Sequence, residues 1–229
     1  MLKLVIGNRN YSSWSLRAWL FLRESGIPFE EHRIPMFSAT WAADVAAFSP
    51  ARRVPILIDG SLRVWDSLAI IEHVREIHPT AIGWPEEAEA RAEARSIVAE
   101  MHSGFIAVRG ELPQNIRLRF ARSLSDLSPS CQEQIARISE IWESLRIRYE
   151  SRGPWLFGEF SLADILFAPV ALRFITYSLS LPSAAQQFVD AIEGLKSVQE
   201  WCEAAKSEDE TIEFIDQLVP ADASPLTLG

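Results

Sequence analysis

A chain of 229 residues is long enough to bury a full core, as one large domain or two small ones, and two are expected. A net charge of −9, from 22 basic and 31 acidic residues, argues against binding to a phosphate backbone, which needs a basic surface. Nearly half of the residues are apolar, yet no uncharged run approaches the roughly 20 residues that span a bilayer, and no signal peptide precedes the first strand pattern. The expectation is a soluble, cytoplasmic protein without nucleic-acid or membrane partners. Cys131 and Cys202 stand alone on helical patterns, and His32, His73, His78 and His102 are scattered. That spacing predicts neither a metal site nor a dithiol redox site.

Residues 3–7 read as a strand and residues 15–25 as a helix, ended by Gly26 and followed by Pro28. Phe29 to Ile34 forms a second strand, completing a parallel β-α-β unit, and Ala39 to Phe48 is a weaker helical stretch. Between Val54 and Trp65 lie two short strands separated by an Asp59-Gly60 turn. Ser67 caps the next helix, whose apolar face carries Ile70, Ile71, Val74 and Ile77 and which stops at His78-Pro79. The N-terminal unit is therefore βαβαββα. After a linker over 79–85, strand signals give way to helices near 86–108, 126–150, 162–178, 184–192 and 195–206, an all-helical second domain. Residues 219–229 lack periodicity and read as an extended or mobile tail.

Three local patterns carry chemistry. The turn Asn10-Tyr11-Ser12-Ser13-Trp14 opens the first helix, where unpaired N–H groups and hydroxyls either cap the helix or hold an anion such as a thiolate. Val54-Pro55 begins the third strand; a cis bond there turns the Val54 backbone outward to pair with a ligand, and a trans Pro at an edge strand is the ordinary alternative. Asp66-Ser67 places a carboxylate and a hydroxyl at another helix start, either a cap or a seat for the zwitterionic end of an amino acid.

Together these residues resemble the cytosolic glutathione S-transferase superfamily, over residues 3 to about 206. Ser12-Ser13-Trp14-Ser15-Leu16-Arg17 is similar to the Ser-Ser-Cys-x-x-Arg signature of the zeta class; Arg53-Val54-Pro55 and Asp66-Ser67 are similar to the family's glutathione site. Phe160-Ser161-Leu162-Ala163-Asp164 is similar to the capping box that starts the family's core helix. The resemblance implies a thioredoxin-like domain over 1–79, an all-helical domain over 86–218 that forms the electrophile pocket, and a homodimer. It implies that Ser12, with Ser13 as its nearest competitor, lowers the pKa of the glutathione thiol. Arg17, Arg53, Val54, Pro55, Asp66 and Ser67 would bind glutathione, with Trp41 and Arg52 as candidates for its glycyl end. Tyr11, Trp14, Met101, His102, Phe105 and Arg109 are the pocket candidates. The implied activity is addition of glutathione, as co-substrate and without a metal, to small hydrophobic electrophiles. A glutathione-dependent peroxidase or disulfide reductase, a zeta-like isomerase, and a non-enzymatic binding protein are the alternatives. Trp14 stands where the zeta signature has Cys.

Overall fold

The computed structural model describes residues 1–225. Its N-terminal part runs β1 (Leu2–Ile6), α1 (Ser13–Glu24), β2 (Phe29–Arg33), α2 (Trp41–Ala46), β3 (Ile56–Asp59), β4 (Leu62–Trp65) and α3 (Ser67–Ile77). The strands form one sheet in the order β2-β1-β3-β4, with β1 parallel to β2 and the other pairs antiparallel. This is the thioredoxin-like arrangement, and the two-residue period of β1 explains its layers. Leu2, Leu4 and Ile6 face the main core with α1 and α3, while Val5 packs with Ile34, Val45 and Ile56 on the α2 side. The end of α1 follows directly from the sequence. Gly26, at φ +65°, lets Ile27 N–H return to the Leu22 carbonyl and closes α1. In the hairpin, Asp59 still pairs with Leu62, so the loop is Gly60-Ser61, one residue later than expected.

The second part runs α4 (Ala88–Ser103), α5 (Ile106–Glu111), β5 (Leu118–Arg119), α6 (Pro129–Tyr149), α7 (Leu162–Thr176), α8 (Ser183–Glu193), α9 (Lys196–Lys206), α10 (Glu213–Asp216) and β6 (Ser224–Pro225). Every residue of α7 is buried. Around it Trp142 of α6 meets Phe167, Phe174 and, on α8, Phe188, at ring separations of 5.1–6.0 Å. Because α1 packs against both α3 and α7, one apolar core runs through both parts and fixes the start of α1 against the helical domain.

Three expectations are corrected. The helix expected over 86–108 is two helices: Gly104 sits so close to the Glu100 carbonyl that a Cβ would lie 2.6 Å from its oxygen, and Phe105 adopts φ +54°. The chain therefore turns between α4 and α5, which changes where Phe105 and Arg109 point. The second part is also not purely helical, since β5 pairs with β6 and ties residues 224 and 225 of the expected tail back to the body. Residues 226–229 of that tail lie outside the described residues. Finally, the residue that caps α3 is Asp66 rather than Ser67: its side chain accepts the Leu68 N–H at 2.9 Å.

Candidate active site

A cleft of about 510 Å³ opens where the start of α1, the segment before β3, the β4–α3 corner and the C-terminal end of α4 meet. Its wall carries Arg53, Val54, Pro55, Asp66 and Ser67 from the N-terminal domain, with Trp14 and His102 closing it. The Val54–Pro55 peptide bond is cis. A second cleft, of about 300 Å³ beside Gly83, Trp84 and Arg152, holds none of the predicted binding residues.

Asp66 stands at φ +75°, a conformation that costs a non-glycine residue about 1–3 kcal/mol and that aims its backbone and carboxylate into the cleft corner. Its second oxygen meets Nε2 of His102 at 3.1 Å, a contact that crosses between the domains. Burial pushes the Asp66 carboxyl up, but the hydrogen bond and charge of His102 and the N–H groups of Leu68 and Ala69 outweigh it and hold the carboxyl below its ordinary range. The neighbouring Ser67 hydroxyl is buried with no partner, an arrangement that costs about 1–3 kcal/mol unless a ligand fills it. A carboxylate, a free hydroxyl and a helix start thus converge at one end of the cleft. They suit an ammonium and a carboxylate on one carbon.

At the α1 end, Ser12 is the helix cap. Its Oγ accepts the Ser15 N–H at 3.3 Å and donates to Ser15 Oγ at 2.7 Å, which also accepts the Gly7 N–H at 3.0 Å. Ser12 and Ser13 are both buried next to the cleft residue Trp14. Cap and anion donor are compatible roles here: Ser15 Oγ still has a proton of its own, so the pair can reverse and free the Ser12 proton for a ligand.

Behind Trp14 the structure departs from a hydrophobic pocket. Arg17, expected among the glutathione contacts, is fully buried, and its donors are spent on the Leu166 and Ser13 carbonyls (2.8 and 2.9 Å) and on Met101 Sδ (3.1 Å). Its work is to bracket α1, α4 and α7. Arg109 binds the Gly104 and Met101 carbonyls and leaves Nη1 buried and unpaired. Arg173 of α7 is buried as well, with Nε unpaired. Burial pushes all three guanidiniums below their ordinary pKa, Arg173 to about 10, and the charge of Arg109 lowers Arg17 and Arg173 further. The remaining pocket candidates are structural: Met101 and Phe105 lie in the core, and Tyr11 donates to Asp216 at 2.7 Å under Ile212 and Ile215. Trp41 stacks loosely on Phe37, and the exposed Arg52 is not part of the cleft wall.

The family model "Glutathione S-transferase, N-terminal domain" matches residues 11–77, the stretch that carries Ser12, Val54-Pro55 and Asp66-Ser67. Mouse glutathione S-transferase theta-1 is 27% identical over 88 residues, 38% of this chain and 37% of that protein. Maleylpyruvate isomerase of Ralstonia is 25% identical over 166 residues, 69% of this chain and 78% of that protein. Residues 11–77 thus match a glutathione S-transferase N-terminal domain. Among solved structures, a glutathione transferase homolog from Burkholderia with bound glutathione shares the fold at a TM-score of 0.69 and 22% identity, over 90% of this chain and 99% of that one. The chain spans well under half the length of the first curated relatives it matches.

The site divides into a half that local sequence announced and a half that it did not. Arg173 and Ser15 were not singled out, the first because nothing near it in sequence marks a ligand. A buried arginine in a largely apolar helix is the signal that points to it. Among the described residues, no group of three or more His, Cys, Asp or Glu side chains is placed to hold a metal, and no helix is long and apolar enough to cross a membrane.

Proposed function

We propose that the chain is a glutathione-dependent enzyme that ionises the glutathione thiol at the start of α1 and delivers the sulfur to an electrophile bearing a carboxylate. The observation that carries the first half is the Ser67 hydroxyl, buried and unpaired beside Asp66 in a cleft that Val54 also lines. Those residues fit the tripeptide: Asp66 takes the γ-glutamyl ammonium, Ser67 and the α3 N-terminus its carboxylate, and the Val54 backbone the cysteinyl unit. Glutathione supplies the nucleophilic sulfur. Ser12, with Ser13 beside it, donates to that sulfur at a helix N-terminus, where thiols that ionise near ~8.5 are brought to about 7. Positioning then does the rest, because sulfur and electrophile meet in one cleft.

The guanidiniums behind Trp14 shift the electrophile class from the small hydrophobic compounds expected from the sequence to anionic ones. Unpaired donors on Arg109 and Arg173 match a carboxylate better than a hydrocarbon. The same observation favours a second reading, glutathione-dependent cis–trans isomerisation of an unsaturated carboxylate, in which the carbon–sulfur bond forms and breaks again. The relative matched over 78% of its length is named for such a reaction. In net addition the thioether bond stays and the proton goes to the neighbouring carbon.

Thiol consumption separates the classes. With glutathione present, 4-chloro-3-nitrobenzoate is expected to be turned over and succinate to inhibit competitively against it. Turnover of 1-chloro-2,4-dinitrobenzene alone, unaffected by succinate, would return the site to hydrophobic electrophiles. The reading also carries a homodimer, which light scattering reads directly.

A further inference from the structure

The ring of Trp14 separates the cleft from the buried charges. Trp14 lines the cleft, whereas Arg17 and Arg109 do not, and both guanidiniums lie against its indole, their Cζ atoms 4.5 and 4.6 Å from the ring centroid. His102, the other cleft residue from this side, meets the same ring edge-on at 5.0 Å. Two cation–π contacts and one edge-on ring contact hold the side chain where it is. The charges behind it are lopsided. Arg109 and Arg173 both act on Arg17, and Arg109 on Arg173, while among the described residues Asp66 opposes them at Arg17. Buried guanidiniums are normally matched by an anion; here the negative face of an aromatic ring takes that place.

We propose that Trp14 is the specificity-determining residue of this enzyme, a shutter whose indole covers an anion subsite formed by Arg109 Nη1 and Arg173 Nε. This rests on the reading that the electrophile carries a carboxylate. With the ring in place the cleft presents an apolar wall to a neutral molecule. A carboxylate reaches the two unpaired donors only by displacing the ring, trading the two cation–π contacts for charge-assisted hydrogen bonds. The residue that makes the α1 turn unlike the zeta signature is thereby the one that decides which electrophile is accepted. The two donors come from α5 and α7, so the subsite lies wholly in the helical domain and is independent of the glutathione half of the cleft.

Succinate, which cannot react, is the probe, read by calorimetric titration of the full chain in wild-type and variant forms. Removing the ring in Trp14→Ala is expected to tighten succinate binding roughly tenfold, because the contacts that oppose opening are gone. Adding Arg109→Gln to that variant should abolish the gain. Trp14→Phe, whose ring holds cations less well, should move the constant the same way by about threefold, and it serves if the alanine variant does not fold. Unchanged or weaker succinate binding in the folded Trp14 variants overturns the proposal, as does a gain that survives Arg109→Gln. A parallel titration of the wild-type chain with glutathione keeps the two levels apart: glutathione binding with no Trp14 effect defeats the shutter alone, and no glutathione binding defeats the functional reading beneath it.

Discussion

Replacing Ser12 by alanine is expected to lower turnover at saturating glutathione by about 10²–10³-fold, the usual loss when one donor aimed at a developing or resident anion is removed. The structure gives the reason for choosing this hydroxyl. Ser12 caps α1, so its Oγ already sits where the N–H groups of the first turn point, and Ser15 stands behind it at 2.7 Å to accept or return a proton. A sulfur held against that turn gains both the macrodipole and a charged hydrogen bond. Glutathione affinity should change much less, because Asp66, Ser67 and Val54 hold the tripeptide elsewhere in the cleft. Loss of the cap costs about 1 kcal/mol of stability, so the assay belongs well below the melting temperature. Ser13→Ala is the comparison: it caps nothing, and its effect should be small. A large loss there with little at Ser12 would transfer the role.

The second large effect is on folding. Asp164→Ala is expected to destabilise the chain by about 3 kcal/mol, with a fall in melting temperature of roughly 6–12 °C. Asp164 is fully buried and binds three groups: the Leu156 N–H at 2.9 Å, the Ser161 N–H at 2.8 Å and the Ser161 hydroxyl at 3.0 Å. Ser161 completes the box by accepting the Ala163 N–H at 3.3 Å. Alanine leaves two buried N–H groups without partners at the head of α7, the helix on which the core is assembled. The titration of Asp164 has a definite sign. Burial pushes its carboxyl up to about 6 against the opposing hydrogen bonds, so between about 4 and 6 the native chain holds a proton that the unfolded chain has released. The contribution of this group is therefore greatest at low pH and declines as pH rises through that window. Denaturant midpoints at pH 4 and pH 7 for wild type and Asp164→Asn measure it, and the variant should lack that part of the slope. Activity per folded molecule should be unchanged in Asp164→Asn, since the residue is not part of the cleft wall.

Sequence made half of this site readable because the information was local. Gly26, Gly60, Val54-Pro55 and Asp66-Ser67 each act within a few residues, through positive φ, a fixed peptide geometry or a helix start. The other half depends on long-range packing. Arg109 reaches Trp14 from α5, which turns away from α4 at Gly104 and Phe105, a break that helical periodicity did not announce. Arg17 matched a binding signature by position, yet its side chain was drawn into the space between α1, α4 and α7, where carbonyls and a sulfur satisfy it. Tyr11 was drawn the other way. Its hydroxyl meets Asp216, 205 residues on, and accepts from Arg117, so it ties down the C-terminal segment instead of facing a substrate. In each case the residue type was read correctly and its neighbours were not, because those neighbours arrive from distant elements.

The central claim is that one cleft, built from Val54, Asp66 and Ser67, binds glutathione and hands its sulfur to α1 as a thiolate. The most direct measurement is the ultraviolet difference spectrum of the wild-type chain titrated with glutathione at pH 7, followed at the thiolate absorbance. The account predicts a saturable band at a pH where free glutathione, with a thiol pKa of about 8.5, is mostly protonated, and a band that weakens sharply in Ser12→Ala. Saturable binding without that band, or no binding at millimolar glutathione, would contradict it.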